Sequence, residues 1–376
     1  MNEKFINSLY FTFGLYSLVL VLVGTPLNIF CFYIFKRIIP NRSNSTIIVF
    51  SYLAIIEVLV PFTWNLNYVI RELWFKQQKH QHIKNLEQYS LVICKLISYG
   101  AYCILQCAAW LKSLATLTRC VSVHHDWSIR KYVSRPNVIH PLTLIIICVI
   151  GLINFPILIV EAEENVFVTS LNQTVTQIKC YKSKLFAFWE IAHMMLYNFV
   201  PFTIMILCNL SIINHVHQSQ RRTKRSKVRS PSMVKSSSSS GRFSANRRSF
   251  SNSGTRLTKT LIFVTIFFII FTSPSAIFYI FLAKIFKKHR NLITMALSNL
   301  ATTSHVTSFF IYWMTSTDFR DAAMGIFSFR VSEDQRHSIE EKQQENIVAL
   351  VTMQSSTDNR RKMELQKSSI PPSFSE

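Results

Sequence analysis

The chain has 376 residues, of which 49% are hydrophobic and only 16% charged, against ~25% charged in soluble globular domains. With a mean hydropathy of +0.24 this points to a membrane protein and away from a soluble domain. The net charge of +22 invites a nucleic-acid partner, but the excess lies mostly beside apolar runs, where anionic headgroups and membrane topology account for it, so nucleic acid is set aside.

Residues 1–7 read as a short tail, too small for a separate ligand-binding domain. The first run, Phe5–Phe35, carries no Asp, Glu, Lys or Arg. It is too long for a signal peptide and no small-residue cleavage site follows, so it is expected to stay as a first helix. Four more charge-free runs, Pro136–Val160, Ile191–Gln220, Thr260–Ala283 and Asn291–Thr317, reach the ~20 residues that span a bilayer. Ser43–Ile70 is broken only by Glu57, and Leu96–Thr118 only by Lys112. Seven transmembrane helices result: an all-α membrane protein.

Lys and Arg collect after the first run (Lys36, Arg37, Arg42), after the third (Arg130, Lys131, Arg135) and between the fifth and sixth, where His217–Lys259 holds twelve of them and no acid. All three segments fall on one side, which is therefore cytoplasmic. The N-terminus is then outside, the C-terminus inside, and the chain a multi-pass plasma-membrane protein. The basic third outer loop (Lys284, Lys287, Lys288, Arg290) disagrees and is outvoted.

The serine-rich basic loop 218–255 is too polar for a core and is expected to be disordered, with ends that can continue the flanking helices and serines open to phosphorylation. The bundle domain covers 8–330. Its end, "DFRDAAMGIFSF", spaces Phe319, Met324, Ile326 and Phe327 as a short interfacial amphipathic helix. No cysteine follows Cys208, which excludes a palmitoyl anchor there. Residues 331–376 read as a disordered cytoplasmic tail.

Of the eight cysteines, Cys94 and Cys180 fall on the oxidising side, where a disulfide between them would pin the loop before the fifth helix. Asn172 in the same loop heads a glycosylation sequon. The sequons at Asn41 and Asn44 face the cytoplasm and are expected to stay unmodified.

Cys94 and Arg119 stand twenty-five residues apart at opposite ends of one helix. Asn28 in "GTPLNIF", "LAIIE" ending at Glu57, Trp74, Pro201, Pro274, Tyr312 and Phe319 follow in order. Jointly these resemble a rhodopsin-like G-protein-coupled receptor over residues 8–330. The departures are as plain. Thr118-Arg119-Cys120 stands where that family has Asp-Arg-Tyr, Ser308 to Tyr312 lacks the asparagine and proline of Asn-Pro-x-x-Tyr, and Phe271-Thr272-Ser273-Pro274 lacks the tryptophan of Cys-Trp-x-Pro.

The resemblance implies that Arg119 is a switch residue packing on the G protein, with Tyr312 beside it; the alternative is an arginine that snorkels to headgroups. Without an adjacent carboxylate, raised basal activity is expected. Lys112 belongs to no family motif. A buried ammonium costs at least ~2.5 kcal/mol on insertion scales, and Glu57 is the one carboxylate at its depth. The alternatives are an ion pair with Glu57 or a lysine that snorkels or faces lipid. In the family the residue matching Glu57 belongs to a sodium pocket, whose other positions here are Ala108, Ser304, His305 and Ser308. The expectation is an internal pair in place of sodium, with Asn28 nearby and His305 as a proton-sensitive third member.

The resemblance also implies an outer ligand pocket, here Asn67, Ala101, Tyr102, Gln106, His193, Tyr197, Tyr279, Ser298 and Thr302. Ala101 replaces the aspartate of amine receptors, which disfavours a biogenic amine, and the seventh helix has no lysine for retinal. Acidic Glu161, Glu163 and Glu164 facing the basic third outer loop favour a short neuropeptide, with a lipid or small molecule as the alternative. Implied partners are that ligand, a heterotrimeric G protein, arrestin, receptor kinases and membrane lipids. No cofactor, metal site or catalytic motif is found, so no enzyme is expected. The competing readings are a transporter or channel, against which no internal repeat is found, and a ligand-binding receptor that does not signal.

Overall fold

Among the described residues, six helices are long and apolar enough to cross a bilayer: span 1 (Glu3–Ile38), span 2 (Ser45–Phe75), span 3 (Leu91–Val123), span 4 (Pro136–Ile159), span 5 (Phe188–Gln218) and span 6 (Thr258–Leu282). The computed structural model describes residues 3–38, 45–76, 85–124, 129, 132–133, 135–160, 163–168, 174–179, 184–228 and 241–326. Span 7 is cut at Thr307 into Arg290–Val306 and Ser308–Thr315. Together the halves reach about 39 Å at the ~1.5 Å rise per residue, enough to cross. The result is a seven-helix membrane bundle.

Span 1 illustrates why these runs bundle. Gly14, Ser17, Gly24, Asn28, Cys31, Phe35 and Ile38 recur at helical spacing and are buried, whereas Val19, Leu22, Ile29 and Tyr33 on the other face are exposed. An exposed face this apolar is stable against lipid, where no water competes for it. Glu3 in the first turn and Lys36 and Arg37 in the last complement the helix dipole. That first turn lies inside the expected 1–7 tail, so helix begins earlier than the sequence indicates.

The spans are not uniform rods. Pro61 sits in a 3-10 turn, Val60–Phe62, inside span 2, and Pro156 resets span 4 at Phe155. Single π-turns occupy Ile70–Phe75, Met195–Phe199 and Phe278–Leu282, the last two flanking Pro201 and Pro274. A proline removes an N–H and clashes with the carbonyl four residues back, so the neighbouring hydrogen bonds shift register.

Two differences from the sequence expectation stand out. Strands β1 (Glu163–Val168) and β2 (Thr174–Lys179) form an antiparallel hairpin between spans 4 and 5, pairing Glu163 with Lys179 and Val168 with Thr174. The alternating β-branched pattern of "TVTQIK" carries that signal. Of the segment 218–255, expected to be disordered with ends that can continue the flanking helices, helix runs on to Val228 and resumes at Gly241, and 229–240 lie outside the described residues. Extending a helix already nucleated in the membrane adds one hydrogen bond per residue fixed, which a polar sequence can sustain.

Chain contacts cluster into Met1–Arg320 and Asp321–Glu376. Of the second unit only 321–326 are described, the end of a helix covering 317–326 where the amphipathic segment is expected. Phe327 and the tail lie outside the described residues.

Candidate functional site

The centre of the bundle holds three polar side chains that the sequence singles out. Lys112 Nζ on span 3 lies 2.7 Å from Glu57 Oε1 on span 2, each side chain 1% exposed. It also donates to His305 Nδ1 on span 7 at 2.9 Å and stands 4.5 Å above the Phe268 ring of span 6. An ammonium has no lone pair to accept with, so Nδ1 must be the acceptor and the imidazole proton sits on Nε2. That Nε2 has no partner among the described residues. Glu57 Oε1 and His305 Nδ1 are 3.1 Å apart, two acceptors bridged by one ammonium. Ser308 Oγ donates to the same Oε1 at 3.2 Å. Asn28 on span 1 donates through Nδ2 to the backbone carbonyls of Glu57 (3.1 Å) and His305 (3.5 Å).

Toward the Cys94 end, two further networks form. Asn154 Nδ2 on span 4 donates to Gln106 Oε1 (2.7 Å), Gln106 Nε2 donates to His193 Nδ1 (3.0 Å), and Trp189 Nε1 donates to Asn154 Oδ1 (3.3 Å). Tyr102 meets the His193 ring edge-on at 4.4 Å, and Tyr197 stacks on its other side at 5.4 Å. The Tyr197 hydroxyl is buried without a partner among the described residues. On the opposite side, Thr302 Oγ1 donates to Asn65 Oδ1 (2.6 Å), Asn65 Nδ2 to Asn299 Oδ1 (2.7 Å), and Ser17 Oγ to that same oxygen (2.7 Å). Asn67 clamps the segment between spans 2 and 3, accepting from the Leu86 amide and donating to Glu87. Ser298 is hydrogen-bonded to Tyr68 and Tyr279 to Thr294. Gln106, Asn67 and Thr302 thus spend polar groups on intramolecular partners. Ala101 is fully buried beside them on span 3.

The rim at the Cys94 end adds a cluster that composition does not reveal. Arg71 pairs with Glu72 at 2.7 Å while its guanidinium lies over Tyr68 (5.1 Å) and Tyr10 (5.8 Å), and Lys76 also pairs with Glu72. Gly14 makes room for Glu72: a Cβ there would come within 2.8 Å of the Glu72 Cβ.

At the other end, Arg119 Nε donates to Thr258 Oγ1 of span 6 at 3.2 Å, a bond to a neutral acceptor where a carboxylate would make an ion pair. Thr118, beside it, donates back to the Ala115 carbonyl. The Tyr312 ring is packed by Phe35 and Phe50, both 5.1 Å away, and by Phe319 at 5.7 Å. Its hydroxyl is buried with no partner among the described residues.

Cys94 is disulfide-bonded. Its expected partner Cys180, the sequon Asn172, Glu161 and the sites Asn41 and Asn44 lie outside the described residues. Among the described residues no group of three or more His, Cys, Asp or Glu is placed to hold a metal. Asn65, Asn154, Trp189, Phe268 and Asn299 were not singled out in the sequence. The three asparagines carried a usable signal, each being an amide inside an otherwise apolar stretch; Phe268 carried none, being one of 30 phenylalanines.

Compared with known proteins, residues 68–317 match the family described as 7 transmembrane receptor (rhodopsin family). None of the curated proteins matches the chain.

Proposed function

Since the chain belongs to the rhodopsin family of seven-transmembrane receptors, we propose that it is a receptor for a short peptide, which it takes at the Cys94 end of the bundle while a heterotrimeric G protein engages the Arg119 end. Ligand binding and G-protein signalling in general come with the family, whose members are signalling receptors and not enzymes.

The observation that carries the peptide is the charge at the mouth. Lys284, Lys287, Lys288 and Arg290 are all exposed on the segment between spans 6 and 7, and Glu163 and Glu164 belong to β1 of the hairpin between spans 4 and 5. A short chain bearing charges of both signs would find complementary charge in these two segments. Below the mouth, Tyr102, His193, Tyr279 and Ser298 present aromatic and hydroxyl groups to it, with Tyr197 deeper. Asn67, Gln106 and Thr302 shape the pocket walls through their own bonds. Cys94 and Cys180 tie the hairpin to span 3, and Asn172 carries glycan on the outside. At the inner end Arg119 is the coupling residue and Tyr312 its neighbour, with arrestin and receptor kinases acting on the same face.

Reporters for several G-protein classes, run on cells expressing the full chain against peptide, lipid and small-molecule libraries, test this reading. Peptide hits should lose potency roughly tenfold or more when Lys287, Lys288 and Arg290 are changed to Glu, as opposed charges meet like ones. Activation by lipids or small neutral molecules alone refutes the peptide. A receptor that binds ligand without signalling is the second reading, favoured by the neutral acceptor Thr258 facing Arg119 and by the missing Asn-Pro pair; ligand binding with silence in every reporter supports it.

A further inference from the structure

The Lys112 ammonium has three N–H groups, and three receivers surround it: Glu57 Oε1 at 2.7 Å, His305 Nδ1 at 2.9 Å and the face of Phe268 at 4.5 Å. They come from spans 2, 7 and 6, while the cation arrives from span 3. All four residues are buried to 2% exposure or less.

The receivers are held without help from the lysine. Asn28 ties the backbones of Glu57 and His305 together from span 1, and Ser308 fixes Glu57 Oε1 through its hydroxyl. The cup therefore exists as a shape of its own, with a carboxylate oxygen and an imidazole lone pair 3.1 Å apart that need a cation between them.

Its chemistry selects which cation. Hard metal ions such as Mg2+ and Ca2+ take rings of oxygen ligands, and Na+ is hard in the same sense. Here one carboxylate oxygen, one nitrogen and one aromatic face converge. Hydrogen-bond acceptors and a ring face suit an N–H cation. We propose that the centre of the bundle is a binding site for a primary ammonium group, filled by the chain's own Lys112 and mismatched to sodium.

A lysine shortened to alanine should leave the cup open to a free alkylammonium. Full-length Lys112→Ala protein in nanodiscs is expected to unfold at a lower temperature than wild type. Propylammonium chloride should raise that midpoint saturably, and sodium chloride and tetramethylammonium chloride at equal ionic strength should not, since neither offers an N–H. Equal effects of all three salts, or none from propylammonium, overturn the proposal. If the variant does not accumulate, wild type decides: its unfolding midpoint should be the same in sodium chloride as in choline chloride. A specific stabilisation by sodium overturns it. Neither measurement uses ligand or G protein, so a failure here is distinct from a failure of the receptor reading.

Discussion

Lys112→Met and Glu57→Gln, made singly and together, measure what the central pair contributes. Each single change leaves one buried charge without its counter-ion. Lys112→Met strands a carboxylate whose remaining side-chain donor is Ser308 Oγ at 3.2 Å, and Glu57→Gln strands an ammonium on a neutral imidazole and a ring face. Removing one partner of a buried pair costs about 3–5 kcal/mol. For Lys112→Met the lost contact with Phe268 adds up to about 2 kcal/mol. The double variant keeps volume and leaves no unpaired charge, and such replacements are often neutral or stabilising by about 1–4 kcal/mol. Thermal unfolding and surface expression of the four proteins should therefore show two sharply destabilised singles and a double close to wild type, a coupling of several kcal/mol. A double variant as unstable as the sum of the singles would refute the reasoning, because the two charges would then act independently. The exchange Glu57→Lys with Lys112→Glu offers a stricter version: expression lost in each single should return in the pair.

Thr258→Val removes the bond from the charged Arg119 Nε, worth about 1.5–3 kcal/mol, so ligand-free signalling should rise roughly ten- to a hundredfold in a reporter assay, and no rise refutes the restraint. Gln106→Leu leaves the Asn154 amide and His193 Nδ1 short of a partner, and the unfolding midpoint should fall by the equivalent of about 1–3 kcal/mol; an unchanged midpoint would mean water replaces the side chain. Gly24→Ala would set a Cβ 2.5 Å from Val306 Cγ2, and overpacking of the span 1 to span 7 contact should cost about 1–3 kcal/mol in the same measurement.

The helices were legible because a bilayer imposes one strong rule: long stretches without charge, closed on their own hydrogen bonds. Span 7 was readable as a run from Asn291, but not its cut at Thr307, since no proline or glycine marks it. The β1–β2 hairpin was missed because short alternating strands are faint beside membrane runs. At the site, Glu57 and Lys112 drew notice as charges in apolar surroundings, which burial makes costly enough to require explanation. Phe268 drew none, because its role comes from lying beneath an ammonium of another span, and such a juxtaposition exists only after folding. The clamp of Asn67 on Glu87 joins residues 20 apart across the segment between spans 2 and 3, and likewise depends on a path the sequence does not specify.

The cut in span 7 has a consequence of its own. Thr307 donates its hydroxyl to the Thr303 carbonyl (2.9 Å), with the Ser304 carbonyl 3.4 Å away, and the Ser308 hydroxyl that serves Glu57 lies 3.5 Å from that same Ser304 carbonyl. Hydroxyls turned back on the preceding turn bend helices. The joint that a proline ring would make permanent is thus made here of exchangeable hydrogen bonds, placed between His305 and Ser308, the two residues that face Glu57. Such a joint can be tightened or released by single-atom chemistry, Ser to Ala or Thr to Val, with the amides left intact. A change at this joint would move both side chains relative to the carboxylate together, so the shape of this one helix and the hydrogen bonding of the central ion pair form a single variable.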